Sequence, residues 1–190
     1  KKRGRIWRIT YKGEHNDITD LTAANIEELI SAFDKDNITT RMAAADQVAD
    51  RIGEAAVEPL KGVLLSSGTS PIKYSHSLWL LYRLNGLNEA ILKQSLSHSS
   101  PTVRLHTLRI LREWKQAQEA FHPLILNSLK DSDPRVQRAA IELLTDYPEM
   151  SSIEAVLAML HSTPDQDTHL VYTSRLILRN LLRENQLMKQ

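Results

Sequence analysis

The chain has 190 residues, a formal net charge of +1, no cysteine, and 42% hydrophobic residues. This composition is ordinary for a globular protein, and the lack of cysteine excludes disulfides, thiolate zinc sites, iron–sulfur clusters and C-x-x-C-H haem attachment. No apolar run approaches the roughly 20 residues that span a bilayer as a helix. Residues 1–12 carry six basic side chains and no acidic one, so the remainder is net acidic. An acidic array binds phosphate backbones poorly, which makes nucleic-acid binding a weak alternative.

The first element in chain order is a short strand in "GRIWRITYKG". Its side chains alternate, so that Trp7, Ile9 and Tyr11 share one face, which is the period-2 pattern of a half-buried strand. A lone strand leaves its ladder hydrogen bonds and its apolar face without partners. We therefore predict a docking segment that contains these three residues together with Arg5 and Arg8. The expected domains are this strand and linker at 1–19 and a helical array at 20–190.

The rest of the chain is a repeat of paired amphipathic helices. Three copies begin with a proline, at positions 71, 101 and 134, and a fourth keeps the register at Asn37. Ser70, Ser100 and Asp133 precede the prolines, which predicts an N-cap acceptor followed by proline at the first helical position. The second helices of the pairs are predicted at 54–65, 88–96, 120–129 and 152–160, with further helices at 22–33 and 167–185. The prolines are 30 and 33 residues apart. Self-similarity at such a spacing is typical of a solenoid, here of about five helix pairs.

The segment "DSDPRVQRAA" (131–140), followed in quality by "SSPTVRLHTL" (99–108), resembles the opening of the HEAT repeat. The resemblance covers roughly residues 20–185 and implies an all-α, right-handed α-solenoid. Tetratricopeptide and armadillo arrays are the alternatives, but the W-x-x-L-G pattern is absent and armadillo units need a third helix. The arginine of the HEAT motif is present at Arg41 and Arg104, whereas Tyr74 and Gln137 occupy the other two places. We therefore expect an incomplete ladder of Asp–Arg pairs.

Candidate chemistry in the array is weak. Carboxylate pairs occur in the turns, where we expect them to cap helices instead of acting as acid–base or cation sites; they are Asp34 and Asp36, Asp131 and Asp133, and Asp165 and Asp167. His76 and His106 occupy equivalent repeat positions and could share a metal, but repeat position explains the pair better because further ligands are missing. No catalytic, cofactor-binding or metal-binding residue is predicted.

The opening residues 4–9, "GRIWRI", resemble the closing strand of a β-propeller blade in bacterial membrane-bound dehydrogenases and sorbosone-dehydrogenase-like haem-binding proteins. In that group a HEAT-like array follows the propeller, and residues 163–182 resemble its late part. The resemblance implies that the chain is a fragment of a propeller-containing, oxidoreductase-like parent with a periplasmic or exported location. The fragment itself would hold no cofactor, since no haem-binding motif is present.

The favoured function is a non-catalytic protein-interaction or interdomain scaffold that is monomeric and binds the upstream propeller or another subunit. The alternative is a HEAT protein that acts on a small molecule, as a pigment lyase does, which predicts a deep groove lined by aromatic side chains. HEAT-like DNA glycosylases rely on a strongly basic face, so they fit this net acidic array less well. The predicted core consists of Val103, Ile110, Leu111, Val136, Ala140, Leu143, Leu144, Leu157 and Leu160.

Overall fold

A computed structural model describes residues 12–13, 20–114 and 118–183 of the chain. Ten α-helices and no strand occur within these ranges. They are α1 (Ile26–Ser31), α2 (Ile38–Gln47), α3 (Val57–Leu65), α4 (Pro71–Arg83), α5 (Glu89–Leu96), α6 (Pro101–Glu113), α7 (Gln118–Ser128), α8 (Pro134–Leu143), α9 (Met150–Ser162) and α10 (Thr168–Arg183). Short 3₁₀ turns lie at Ala32–Asp34, Gly53–Ala56 and Leu144–Asp146, and a π turn lies at Val48–Ile52. The predicted strand with Arg5, Trp7, Arg8, Ile9 and Tyr11 falls outside the described residues, so it stays a prediction.

The helices pack in two rows. Helices α4, α6, α8 and α10 lie side by side in one row, each against the next. Helices α3, α5, α7 and α9 form the other row, and each packs against the even-numbered helix that follows it. Every repeat therefore buries its apolar face on its neighbour, which is how solenoids build a continuous core. The prediction of an all-α, HEAT-like solenoid is confirmed.

The helix starts follow local capping chemistry. The side chain of Asn37 accepts a hydrogen bond from the amide of Thr39, and Ser70 accepts one from Lys73 at 3.1 Å. Asp133 caps α8 in the same way. The prediction for Ser100 was wrong in one respect, since its side chain makes no cap hydrogen bond although it precedes the proline of α6. The proline alone, with its fixed φ and missing amide, favours the helix start there.

The core runs through the described repeats and matches most of the prediction. The predicted core residues of α6, α8 and the turn after α8 are buried, among them Ile110 at 0% and Leu111 at 4% exposed. Leu157 was predicted wrongly, because it is 39% exposed. Helix α9 instead turns Ile153 and Val156 toward the core. Leu160 is only partly buried, although it packs against the same core.

An ion pair that is largely but not fully buried joins α6 to the turn that precedes α8. The guanidinium of Arg104 donates to the carbonyls of His98 and Ser99 at 2.8 and 2.9 Å, and it grips the carboxylate of Asp131 at 2.6 and 2.7 Å. Burial, the largest single effect, raises the pKa of Asp131, but the hydrogen bonds from Arg104 and from the amide of Asp133, together with the charge of Arg104, outweigh it, so the pKa is lowered overall. The pair therefore holds two successive repeats in register.

Arg41 on α2 occupies the place equivalent to Arg104, two repeats earlier, but in the described part of the chain it has no carboxylate partner equivalent to Asp131. Its guanidinium donates to the carbonyls of Lys35 and Asp36 at 2.6 and 2.8 Å. Its Nε atom is buried and finds no acceptor among the described residues. Gly68 lies three residues before the proline of α4, as Asp131 does before the proline of α8. The missing partner of Arg41 is thus explained by this glycine.

Replacing Gly68 by aspartate is expected to raise the free energy of unfolding by about 1 kcal/mol, because it supplies a charge-assisted acceptor to the buried Nε of Arg41. A Cβ at this position meets no atom within 4 Å, so the substitution fits without strain. Urea denaturation measures the gain. Gly68→Ala controls for the lost backbone freedom, and a gain as large in that variant would show that no pair with Arg41 forms.

Candidate functional site

An open groove of about 520 Å³ crosses α2, α4 and α6 on the even-numbered row. Three large apolar side chains lie along it with much of their surface in water: Ile38 is 62% exposed, Met42 50% and Ile72 46%. The indole of Trp79 lies half-buried between them and the core. We call this surface the apolar groove and define it by these four residues. Contiguous exposed apolar surface of this kind marks binding sites, because its hydration is unfavourable by about 25 cal/mol per Å².

The polar groups of the apolar groove hold its indole in place. The Nε1–H of Trp79 donates to Nδ1 of His106 at 3.1 Å, and the two rings meet edge to face at 6.4 Å. Burial lowers the pKa of His106, and the nearby charges of Arg109 and His76 lower it further. Because Nδ1 accepts the indole N–H, the neutral imidazole carries its proton on Nε2.

His76 and His106, which the sequence places in equivalent repeat positions, both line the apolar groove. The ring of His76 stacks on Phe33 with the ring centres 5.6 Å apart. The pKa of His76 is lowered, mainly by burial and to a smaller extent by the charge of Arg41. His106 is engaged by Trp79. In the part of the chain that the structure describes, no three histidine or carboxylate side chains are close enough to hold a metal ion. Each imidazole is thus in contact with its own aromatic neighbour, Phe33 for His76 and Trp79 for His106.

The turn carboxylates divide between two roles. Asp133 and Asp167 cap helices, as predicted, by accepting the backbone amides of Arg135 and Leu170 at 2.8 and 3.0 Å. The hydrogen bonds from the Arg135 side chain are the main reason why the pKa of Asp133 is lowered to about 2. Asp131 departs from the prediction, because its carboxylate binds Arg104 instead of capping α8. Asp34 departs too, because its carboxylate accepts the Ser70 hydroxyl and lies 3.6 Å from Nζ of Lys73. The aspartates of these turns therefore form ion pairs as well as helix caps.

Sequence reasoning missed a cluster between α7 and α9. Nε2 of His122 lies 2.9 Å from Oγ of Ser152, and its Nδ1 lies 3.5 Å from a carboxylate oxygen of Glu149. The imidazole also stacks on Tyr147 with the ring centres 5.0 Å apart. The order serine, histidine, carboxylate is that of a nucleophilic triad. The side chain of Ser152 is fully buried, so no substrate reaches its oxygen in this conformation, and the cluster ties the two helices together.

A second cavity, of about 230 Å³, lies between α6 and α8 on the same row of helices. Arg109, Arg135 and Arg138 line it together with one carboxylate, Glu142. Arg138 pairs with Glu142 at 2.9 Å, and Arg135 pairs with Asp133 at 2.7 Å. Arg109 makes no ion pair with any described residue. We call this surface the arginine groove; it is lined from α6 and α8, whereas the apolar groove is lined from α2, α4 and α6.

Residues 88–172 match the family described as HEAT repeats. The match runs from the N-cap of α5 into α10 and includes the Arg104–Asp131 pair and the arginine groove. HEAT repeats are typically non-catalytic and generally mediate protein interactions. No curated protein matches the chain. None of the described helices combines the length and the apolar character that crossing a membrane requires.

Proposed function

We propose that the chain is a non-catalytic scaffold whose protein partner docks in the apolar groove. The observation that carries this proposal is the exposure of Ile38, Met42 and Ile72 beside a half-buried tryptophan. In a binding surface, an apolar anchor with an aromatic centre contributes most of the affinity. The match of the downstream repeats to a family that generally mediates protein interactions supports the same conclusion.

The open form of the apolar groove favours a protein over a small molecule. Small-molecule sites bury most of their ligand's surface within a concave pocket. Here Ile38, Met42 and Ile72 expose about half or more of their own surface, and Trp79 is the one indole among the lining residues. A pigment-lyase-like role predicts a deeper, more aromatic site. A broad protein surface can cover this groove in a way that a compact ligand cannot.

The finer part of the proposal concerns the partner. A β-propeller upstream in a larger oxidoreductase-like protein is the partner that the resemblance of residues 4–9 supports. In this proposal the parent supplies the redox chemistry, the present chain holds no cofactor or metal, and it is monomeric. The full reading frame of the parent tests the propeller directly. Gel filtration with light scattering tests the monomer, and a stoichiometric metal or a haem absorbance in the purified chain would contradict the absence of a cofactor.

A library of displayed 16-residue peptides, selected on the purified chain, tests the docking site. We expect the selected peptides to bind at least ten-fold more weakly to Ile72→Ser, because the partner loses an apolar contact of about 1.5–3 kcal/mol. Fluorescence polarisation of labelled peptides measures the affinity. Leu65→Ser is the matched control, since Leu65 is 77% exposed on α3 and does not line the groove. Peptides that bind both variants equally well, or a selection that yields no peptide sensitive to Ile72, would overturn the proposal.

A further inference from the structure

We infer that the partner carries carboxylates where it leaves the apolar groove, because the surface next to that groove is the arginine groove. This inference rests on the proposed function and names the chemistry of the partner. It concerns the face formed by α2, α4, α6 and α8. Two cavities on one face, one apolar and one cationic, fit a single acidic segment with an apolar anchor at one end.

The two cavities meet on α6. His106 lines the apolar groove, and Arg109, one turn later on the same helix, lines the arginine groove. Residues three apart on a helix lie about 5–6 Å from each other at their Cβ atoms. The charge of Arg109 also acts on His106, where it lowers the pKa of the imidazole. A segment anchored beside Trp79 therefore reaches Arg109 without leaving the protein surface.

The arginine groove contains more arginine side chains than carboxylates that could pair with them. Glu142 is its one carboxylate among the lining residues, and Arg138 and Arg112 both approach it, at 2.9 and 3.7 Å. Arg109 has no carboxylate of its own within the described part of the chain. Arginine presents several donors in a rigid fork that matches a carboxylate in two parallel hydrogen bonds. A partner carboxylate beside Arg109 would complete this arrangement.

Three occupants of the two cavities can be compared by charge: the chain's own N-terminal segment, a nucleic acid and an acidic protein segment. The chain's own segment at residues 1–12 is basic, so the arginine groove would repel it. A nucleic acid needs a run of unopposed cations for its phosphates, whereas Glu142 and Asp133 lie among these arginines. The two arginines that line the apolar groove offer little to a phosphate backbone, since Arg83 pairs with Asp46 and Asp50 and the guanidinium of Arg41 donates to backbone carbonyls. An acidic protein segment satisfies both cavities.

The test uses a labelled decaglutamate peptide and a ten-nucleotide oligo-dT, each titrated with the full chain at low salt in fluorescence polarisation. We expect decaglutamate to bind and its affinity to fall at least five-fold in Arg109→Gln and in Arg138→Gln. Lys61→Gln on α3 is the control, since it removes one cation away from this face and should leave the affinity unchanged. Ile72→Ser should also leave decaglutamate binding unchanged, although it weakens the selected apolar peptides.

The outcomes separate the two proposals. A selection that yields no peptide sensitive to Ile72→Ser, with decaglutamate binding intact, would overturn the docking site in the apolar groove. Decaglutamate that does not bind, or that binds equally to Arg109→Gln and wild type, would overturn the acidic partner alone. Oligo-dT that binds more tightly than decaglutamate, with the same dependence on Arg109 and Arg138, would overturn it in favour of a nucleic acid.

Discussion

Replacing Leu111 by alanine is expected to lower the free energy of unfolding by about 2–5 kcal/mol. Leu111 lies on α6 at 4% exposure, within the core that joins successive repeats. Truncation removes apolar contacts and leaves a cavity, because the helices on either side are held by their own neighbours and collapse only in part. In a solenoid the loss falls on interfaces with adjacent repeats, so it weakens the packing on both sides of α6.

Urea denaturation followed by circular dichroism measures the loss at Leu111. The matched control is Leu157→Ala on α9, which removes the same atoms from a side chain that is 39% exposed. We expect Leu157→Ala to lower the free energy of unfolding clearly less than Leu111→Ala does. A partly exposed leucine buries less apolar surface on folding, and its truncation leaves no enclosed cavity. Equal losses at the two positions, or a loss below roughly 0.5 kcal/mol at Leu111, would show that the described register of α6 is wrong.

Replacing Asp131 by alanine is expected to lower the free energy of unfolding by about 3 kcal/mol at pH 7, because it leaves the guanidinium of Arg104 without its carboxylate. The pair retains only 15% and 10% of its side-chain exposure. Arg104 keeps its hydrogen bonds to the two backbone carbonyls, so the loss belongs to the carboxylate. Asp165→Ala, an exposed carboxylate in a later turn, should stay within about 0.5 kcal/mol of wild type.

The contribution of Asp131 depends on pH with a definite sign. The pKa of Asp131 is lower in the folded chain than its ordinary value, so the folded state favours the ionised carboxylate. This stabilisation is complete above the unfolded pKa of about 3.9 and disappears as the pH falls through the folded pKa. The stabilities of wild type and Asp131→Ala should therefore converge toward pH 2. A difference that stays constant between pH 7 and pH 2 would contradict the assignment.

Helix positions and the repeat could be predicted well from sequence, because their signals are local. The helix starts are marked by Asn37, Ser70 and Asp133, whose side chains cap amides only two or three residues further along the chain. The apolar periodicity of α6 has the same local character, and Val103, Ile110 and Leu111 are buried as predicted. In α9 the signal was ambiguous, because apolar residues occur nearly all round the helix. The burial of Ile153 and Val156 instead of Leu157 was settled by the neighbouring helices.

The apolar groove and the arginine groove were not predicted from the sequence, since their parts come from separate repeats. Ile38 and Ile72 look like ordinary helix residues, and nothing local marks them as the sides of one groove. The net acidic composition also concealed the arginine groove, because arginines on α6 and α8 gather on one face only after the helices pack. The predicted docking segment around Trp7 lies outside the described residues and stays a prediction.

The sequence by itself determined the helix starts, the repeat and the all-α class, because capping and apolar periodicity act within a few residues. The tertiary structure alone decided which distant groups meet. Arg104 and Asp131 lie 27 residues apart, as do Trp79 and His106, while His122 and Ser152 lie 30 apart. The stacking of one repeat on the next brings each of these pairs together, and the same stacking places the apolar groove beside the arginine groove.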